Sequence, residues 1–169
     1  MEFPALLILS CLTITGTGEK NITVWIITLC FIIHYLHRSV IYPLRIRTKG
    51  KTMPLAVVLM AVFFNVVNGS IIGYYNGSLQ EQFEPAWLSD PRFLTGIILF
   101  LSGMAINISS DEILIRLRKN GGDGYHIPRG GLFRYVSCPN FLGEIIEWFG
   151  YALMSWSLPA LSFFIWTFC

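Results

Sequence analysis

The sequence predicts an all-α membrane protein: a multi-helix transmembrane bundle forming one domain over residues 1–169. Three observations predict it. Apolar residues make up 54% of the chain and charged residues only 13%, against about 25% charged in an ordinary soluble domain; mean hydropathy is +0.59. The apolar residues gather in five long stretches. The positive charge lies between them, with ten of the twelve Lys and Arg residues in two loops. A net charge of +2 gives no reason to expect a nucleic-acid partner. The partner this composition calls for is the lipid bilayer.

The first stretch is Phe3–Ile14, "FPALLILSCLTI". Glu2 precedes it and no Lys or Arg does, so it lacks the basic start of a signal peptide and is read as a helix of the bundle. The second is Ile22–Tyr35, the third Met53–Tyr75, the fourth Phe93–Ile108, and the fifth runs from about Phe141 to Cys169. Only the third and fifth approach the roughly 20 residues that cross a bilayer; the others reach across by drawing in interfacial residues. Trp25, Tyr35, Tyr42, Tyr74, Tyr75 and Trp87 stand at the margins, as an interfacial aromatic belt does.

Loop charge orients these spans. Segment 38–52 holds Arg38, Arg45, Arg47, Lys49 and Lys51; segment 111–135 holds Arg116, Arg118, Lys119, Arg129 and Arg134. Between them, segment 76–92 holds Glu81, Glu84 and Asp90 against Arg92 alone. Lys- and Arg-rich loops stay in the cytosol, so loops 38–52 and 109–138 are expected there, with 15–21 and 76–92 on the other side. The sequons at Asn21 and Asn76 fall on that far side. Cys11, Cys30, Cys138 and Cys169 form no CxxC pair. They read as buried free thiols, with no disulfide framework and no metal site.

The second basic loop, "NISSDEILIRLRKNGGDGYHIPRGGLFRYVSCPN", has two readings. One is topological: cations that hold the loop inside. The other is a site for an anionic, nucleotide-like ligand. Asn107, Asp111 and Arg118 fall near one helix face, glycine turns let backbone approach a ligand, and arginines beside them suit phosphate. No GxGxxG follows a strand, so a Rossmann domain is not supported.

Ionisable residues inside spans are costly and mark function. His34, Tyr35, His37 and Arg38 cluster at the end of the second stretch; Asn140, Glu144 and Glu147 form a stripe at the start of the fifth. The stripe can grip ligand amides or pair with Arg38 or Arg118. Equally, its carboxylates can meet water and the positive end of the helix dipole. Trp148, Tyr151 and Trp156 offer a flat aromatic surface, for lipid or for a planar apolar ligand.

The stretches "HYLHRSVIYPL", "DPRFLTGIILFLSGMAINISSDEILIRLRK" and "GYHIPRGGLFRYVSCPNFLGEIIEWFGYALMSWSLPAL" together resemble the steroid 5-alpha-reductase family (3-oxo-5-alpha-steroid 4-dehydrogenases) over about residues 1–168. The resemblance implies a multi-pass enzyme of the endoplasmic reticulum membrane with seven helices, about five of them present here, the chain being expected to be truncated at both ends. It implies reduction of the C4–C5 double bond of 3-oxo-4-ene steroids, the testosterone and progesterone class, by hydride from NADPH. Glu2, in "MEFPALL", and Tyr35 match the groups at the steroid 3-oxo oxygen, the catalytic pair. Arg38, Asn107, Asp111, Arg118, Tyr125, Asn140, Glu144 and Trp148 match cofactor contacts. Two alternatives stand beside this reading: a catalytically inactive isoform, and a reductase of another apolar enone such as a polyprenol, a sterol or an enoyl-CoA.

Overall fold

The computed structural model of the chain describes residues 2–46, 52–80, 83–120 and 127–168, and no strand occurs among them. The helices are α1 Phe3–Thr15, α2 Ile22–Leu36, α3 Tyr42–Arg45, α4 Leu55–Tyr74, α5 Pro91–Asn120, α6 Pro139–Ser155 and α7 Leu158–Phe168. A π-helical turn, His37–Ile41, welds α2 to α3, and a second, Tyr75–Leu79, extends α4. Ile22–Arg45, Leu55–Leu79 and Pro91–Lys119 are each long and apolar enough to cross a membrane.

Three expectations are corrected. The second stretch does not stop at Tyr35 but continues helically through the basic residues to Arg45. The fourth runs on through "SSDEILIRLRKN", so the first twelve residues of the expected loop 109–138 are helix. Good helix formers carry it, and Arg116 pairs with Glu112 at 3.0 Å, one turn apart. The fifth stretch is two helices, making six rods where five were expected. Trp156 adopts a left-handed conformation (φ 43°) and ends α6. Ser157 then accepts from the Ala160 amide at 3.4 Å, and Pro159 sits in the first turn of α7, a usual place for proline.

Arg45, Arg116, Arg118 and Lys119 mark one end of the bundle, called here the basic end. The α2–α3 rod and α5 run towards it, while α1, α4 and α6 run away from it. With no hydrophobic force between helices in lipid, association rests on close packing of small residues. In α1 and α4 the register is Ala5 on Gly69, Leu9 on Gly73 and Thr13 on Gly77, so the two helices are parallel; a Cβ at Gly73 would lie 2.8 Å from Leu9 Cα. In α5 and α6 glycines recur at a spacing of seven, Gly96 and Gly103 against Gly150 and Gly143. A Cβ at Gly143 would lie 2.6 Å from the Asn107 amide, so these helices touch backbone to backbone. Phe31, Tyr35, Phe100, Trp148, Tyr151 and Phe163 fill the space between the rods. Leu55, Leu59, Met60 and Phe63 point outward from α4, a face suited to lipid.

At the far end, the Arg92 guanidinium lies between two indoles, 4.4 Å from Trp87 and 4.7 Å from Trp156, while Asp90 holds it at 2.8 Å. Trp87 Nε1 donates to the Met154 carbonyl at 3.0 Å. Hydrogen bonds from Arg92 hold the half-buried Asp90 carboxyl down to about 2. Both sequon asparagines are engaged in the fold. Asn21 caps α2 and donates to the Phe83 carbonyl at 2.7 Å, and Asn76 is buried. Cys11, Cys30 and Cys138 are free thiols, but of these only Cys30 is buried.

Candidate functional site

The site begins with a proline. Pro43 has no amide to donate, and the helix ladder just upstream of it loosens. The Tyr42 amide reaches back five residues to the His37 carbonyl, and Ser39 Oγ takes up the Tyr35 carbonyl at 2.5 Å. Such π-helical turns are rare and gather at functional sites. This one carries Arg38.

Each guanidinium nitrogen of Arg38 faces a carboxylate from a different helix. Nε is 3.5 Å from Glu2 at the start of α1, Nη1 is 3.5 Å from Asp111 on α5, and Nη2 is 3.4 Å from Glu144 on α6. Arg38 also lies over the Tyr42 ring, 5.3 Å from its centroid. One guanidinium thus stands among three carboxyl groups. It lies within the bundle rather than on its rim. The register of α1 on α4 sets Glu2 level with residue 66, eleven residues into α4, or about 16 Å at 1.5 Å per residue.

The backbone contact of α5 and α6 decides the next layer. It brings Asn107 so near α6 that its Nδ2 donates both to Glu144 Oε1 and to the Asn140 carbonyl, each at 3.0 Å. Glu144 Oε1 is thus gripped from two helices. Asn107 and Asp111, one turn apart on α5, are both buried. Asp111 Oδ1 and Glu147 Oε2 are buried acceptors with no partner among the described residues. Since buried polar atoms are nearly always paired, these two are open valences.

Tyr35 is 4% exposed and stacks on Phe31, with ring centroids 4.5 Å apart. Trp148 is buried beside it, 6.0 Å away. Glu2, Tyr35, Arg38, Asn107, Asp111, Asn140, Glu144 and Trp148 are therefore gathered in one region. Arg118 lies two turns beyond Asp111 along α5, nearer the basic end, where it is exposed. Because α5 is continuous from Pro91 to Asn120, the shared face expected for Asn107, Asp111 and Arg118 holds, with Arg118 at its exposed end. Tyr125 and the glycine turn around it lie outside the described residues. Trp156 belongs to the far-end clamp and not to an aromatic surface shared with Trp148. Sequence reasoning placed His34 near the cluster but missed its partner: His34 Nδ1 is 2.8 Å from Glu147 Oε1, and both residues are buried. No spacing rule links residues 113 positions apart.

Residues 51–169 match the family model described as 3-oxo-5-alpha-steroid 4-dehydrogenase. The whole chain is similar to 3-oxo-5-alpha-steroid 4-dehydrogenase 1 of Bos taurus, 46% identical over 98% of this chain and 64% of that protein. It is 40% identical to a steroid 5-alpha-reductase of Gossypium hirsutum over 99% of this chain and 66% of that protein. With 3-oxo-5-alpha-steroid 4-dehydrogenase 2 of Homo sapiens it shares 50% identity over 82% of this chain and 54% of that protein. The chain thus spans slightly under two thirds of the length of the first two of these relatives.

Proposed function

Because the chain belongs to the 3-oxo-5-alpha-steroid 4-dehydrogenase family, we propose that it is a membrane oxidoreductase of the endoplasmic reticulum acting on 3-oxo-4-ene steroids such as testosterone and progesterone with NADPH. The observation that carries this reading is the convergence of Glu2, Asp111 and Glu144 on Arg38, with Asn107 bound to the same Glu144 oxygen.

The residues present fit a reduced dinucleotide. A carboxamide offers N–H groups and a ribose offers hydroxyls, and both need acceptors. Asp111 Oδ1 is a buried acceptor with no partner among the described residues, and Glu144 and Asn140 stand beside it across the α5–α6 contact. When bound, NADPH would supply the hydride to C5, and a proton added at C4 completes the reduction. Asn140 and Glu144 hold the nicotinamide amide and so set which face of the ring meets the steroid. Basic residues at the same end hold the phosphates, and that end faces the cytosol, where Lys- and Arg-rich loops remain.

Tyr35 acts on the steroid. Its phenol donates to the 3-oxo oxygen, where negative charge accumulates as C5 is attacked. A donor aimed at that oxygen stabilises the transition state more than the ground state. Glu2 adds a second donor when it is protonated.

The test is turnover by the purified chain in detergent micelles with NADPH. Testosterone, progesterone, a polyprenol and an enoyl-CoA are offered side by side, and products are read by mass spectrometry. A 5α-dihydro steroid is expected. Product from the polyprenol or enoyl-CoA alone assigns the chain to another enone, and failure to bind NADPH removes the activity from this chain.

A further inference from the structure

The α2–α3 rod and α6 run antiparallel and are joined by two polar rungs one helical turn apart. The outer rung is Arg38–Glu144 at 3.4 Å, part of the cluster read above as the cofactor site. The inner rung is His34–Glu147 at 2.8 Å, and that reading gives it no task. It is the more deeply buried of the two: Glu147 is 0% and His34 7% exposed.

Cohesion does not account for the inner rung. Removing two ionisable groups from water takes back most or all of their mutual attraction, and well-packed apolar residues often do as well or better. Glu147 Oε2 in addition has no partner among the described residues, an unfavourable state for a buried carboxylate oxygen.

The neighbours of the rung point to its use. His34 precedes Tyr35 in α2, and Glu147 precedes Trp148 in α6. The His34 ring stands edge-on to Trp148, centroids 4.6 Å apart at 65°, and edge-on to Tyr35, 5.2 Å apart at 73°. Phe31 stacks on Tyr35 at 24°. Tyr35 is therefore bounded by Phe31, Trp148 and an imidazole that cannot rotate without leaving Glu147 bare in the core. A carboxylate on Nδ1 requires Nδ1 to carry the proton, which fixes tautomer and ring orientation together.

We propose that His34 and Glu147 are positioning residues for Tyr35: the carboxylate locks the imidazole, and the locked imidazole sets the tilt of the phenol that meets the ketone. The proposal rests on the reading of Tyr35 as the ketone donor. It assigns no proton transfer to the pair.

The test uses the full chain in detergent micelles, labelled with ¹⁵N at histidine and ¹³C on the tyrosine ring. Glu147→Gln retains an oxygen that accepts from Nδ1–H, Glu147→Leu removes it, and the double variant His34→Leu/Glu147→Leu removes both partners without leaving either unpaired. Wild type and Glu147→Gln are expected to show His34 protonated at Nδ1 and one sharp set of Tyr35 ring signals. Glu147→Leu loses the Nδ1–H tautomer. The double variant melts no lower than wild type, yet its Tyr35 signals broaden or split. In steroid turnover with NADPH, the double variant loses at least about tenfold in kcat, as small misplacements of a reacting group do, with NADPH affinity unchanged. Tyr35 signals in the double variant identical to wild type overturn the proposal. So does a Glu147→Gln variant as impaired as Glu147→Leu, which would make the charge and not the contact the essential feature. If wild type turns over no steroid, the functional reading fails, and the spectra still decide whether the pair positions Tyr35.

Discussion

Arg38 and Glu144 face each other at 3.4 Å across the gap between α2 and α6, and the Glu144 oxygen that Arg38 approaches is the one Asn107 binds at 3.0 Å. A single carboxylate oxygen thereby ties three helices together. Glu2 and Asp111 lean on the same guanidinium, so the electrostatics of the site depend on one cation.

Replacing Arg38 by Leu should leave three carboxylates repelling one another in a partly buried setting. A loss of about 1–3 kcal/mol is expected, below the full value of a fully buried pair because Arg38 and Glu2 are only partly buried. Melting curves in detergent at neutral and mildly acidic pH check it. The loss should shrink on acidification, because protonation removes the repulsion. A variant melting like wild type at neutral pH would show that the carboxylates do not depend on Arg38.

Tyr35→Phe and Glu144→Ala should separate chemistry from cofactor binding. The first removes a donor to a developing oxyanion and is expected to lower kcat by about 10²-fold, with NADPH affinity unchanged. The second removes a cofactor anchor and is expected to weaken NADPH binding about tenfold, the worth of one hydrogen bond to a charged group. Steady-state kinetics with a fluorescence titration of NADPH tests both. The roles assigned are wrong if the two variants show each other's pattern.

Gly103→Ala should loosen α5 from α6. A Cβ there falls on the Glu147 amide and 2.6 Å from the Gly143 carbonyl oxygen, backbone atoms that cannot swing aside. The expected loss is about 1–3 kcal/mol, the range for overpacking a tight contact. The hydrogen bonds of Asn107 to α6 should go with it, so NADPH affinity falls although residue 103 touches no ligand. Thermal melting and NADPH titration of the same sample measure the two effects. Unaltered melting would mean that the helices have room the structure does not show.

Asp90 gives a pH prediction at the far end. Its carboxyl is held at about 2, below its ordinary 3.8, by hydrogen bonds from Arg92. A depressed carboxyl adds stability that is present above the ordinary value and lost as pH falls through the depressed one. Wild type should therefore melt above Asp90→Asn at neutral pH, and the two should converge near pH 2. A difference that persists undiminished at that pH would assign the effect to something other than the charge of Asp90.

Composition and loop charge suffice for the class of this protein and for where most helices lie, because an apolar run in a bilayer has little choice but to be helical. Local signals also carry the pairing of Asn107 with Asp111, since a spacing of four is one turn wherever the helix goes. The break at Trp156 is not legible in the apolar pattern, which shows one stretch from Phe141 to Cys169, although Ser157 and Pro159 stand at it. Contacts between distant segments are different in kind. Which carboxylates meet Arg38, and that His34 finds Glu147, depend on how helices rotate and slide against one another. That choice is made by backbone contact at Gly73, Gly103 and Gly143, far along the chain from the charges it brings together, and it exists only once the rods have packed.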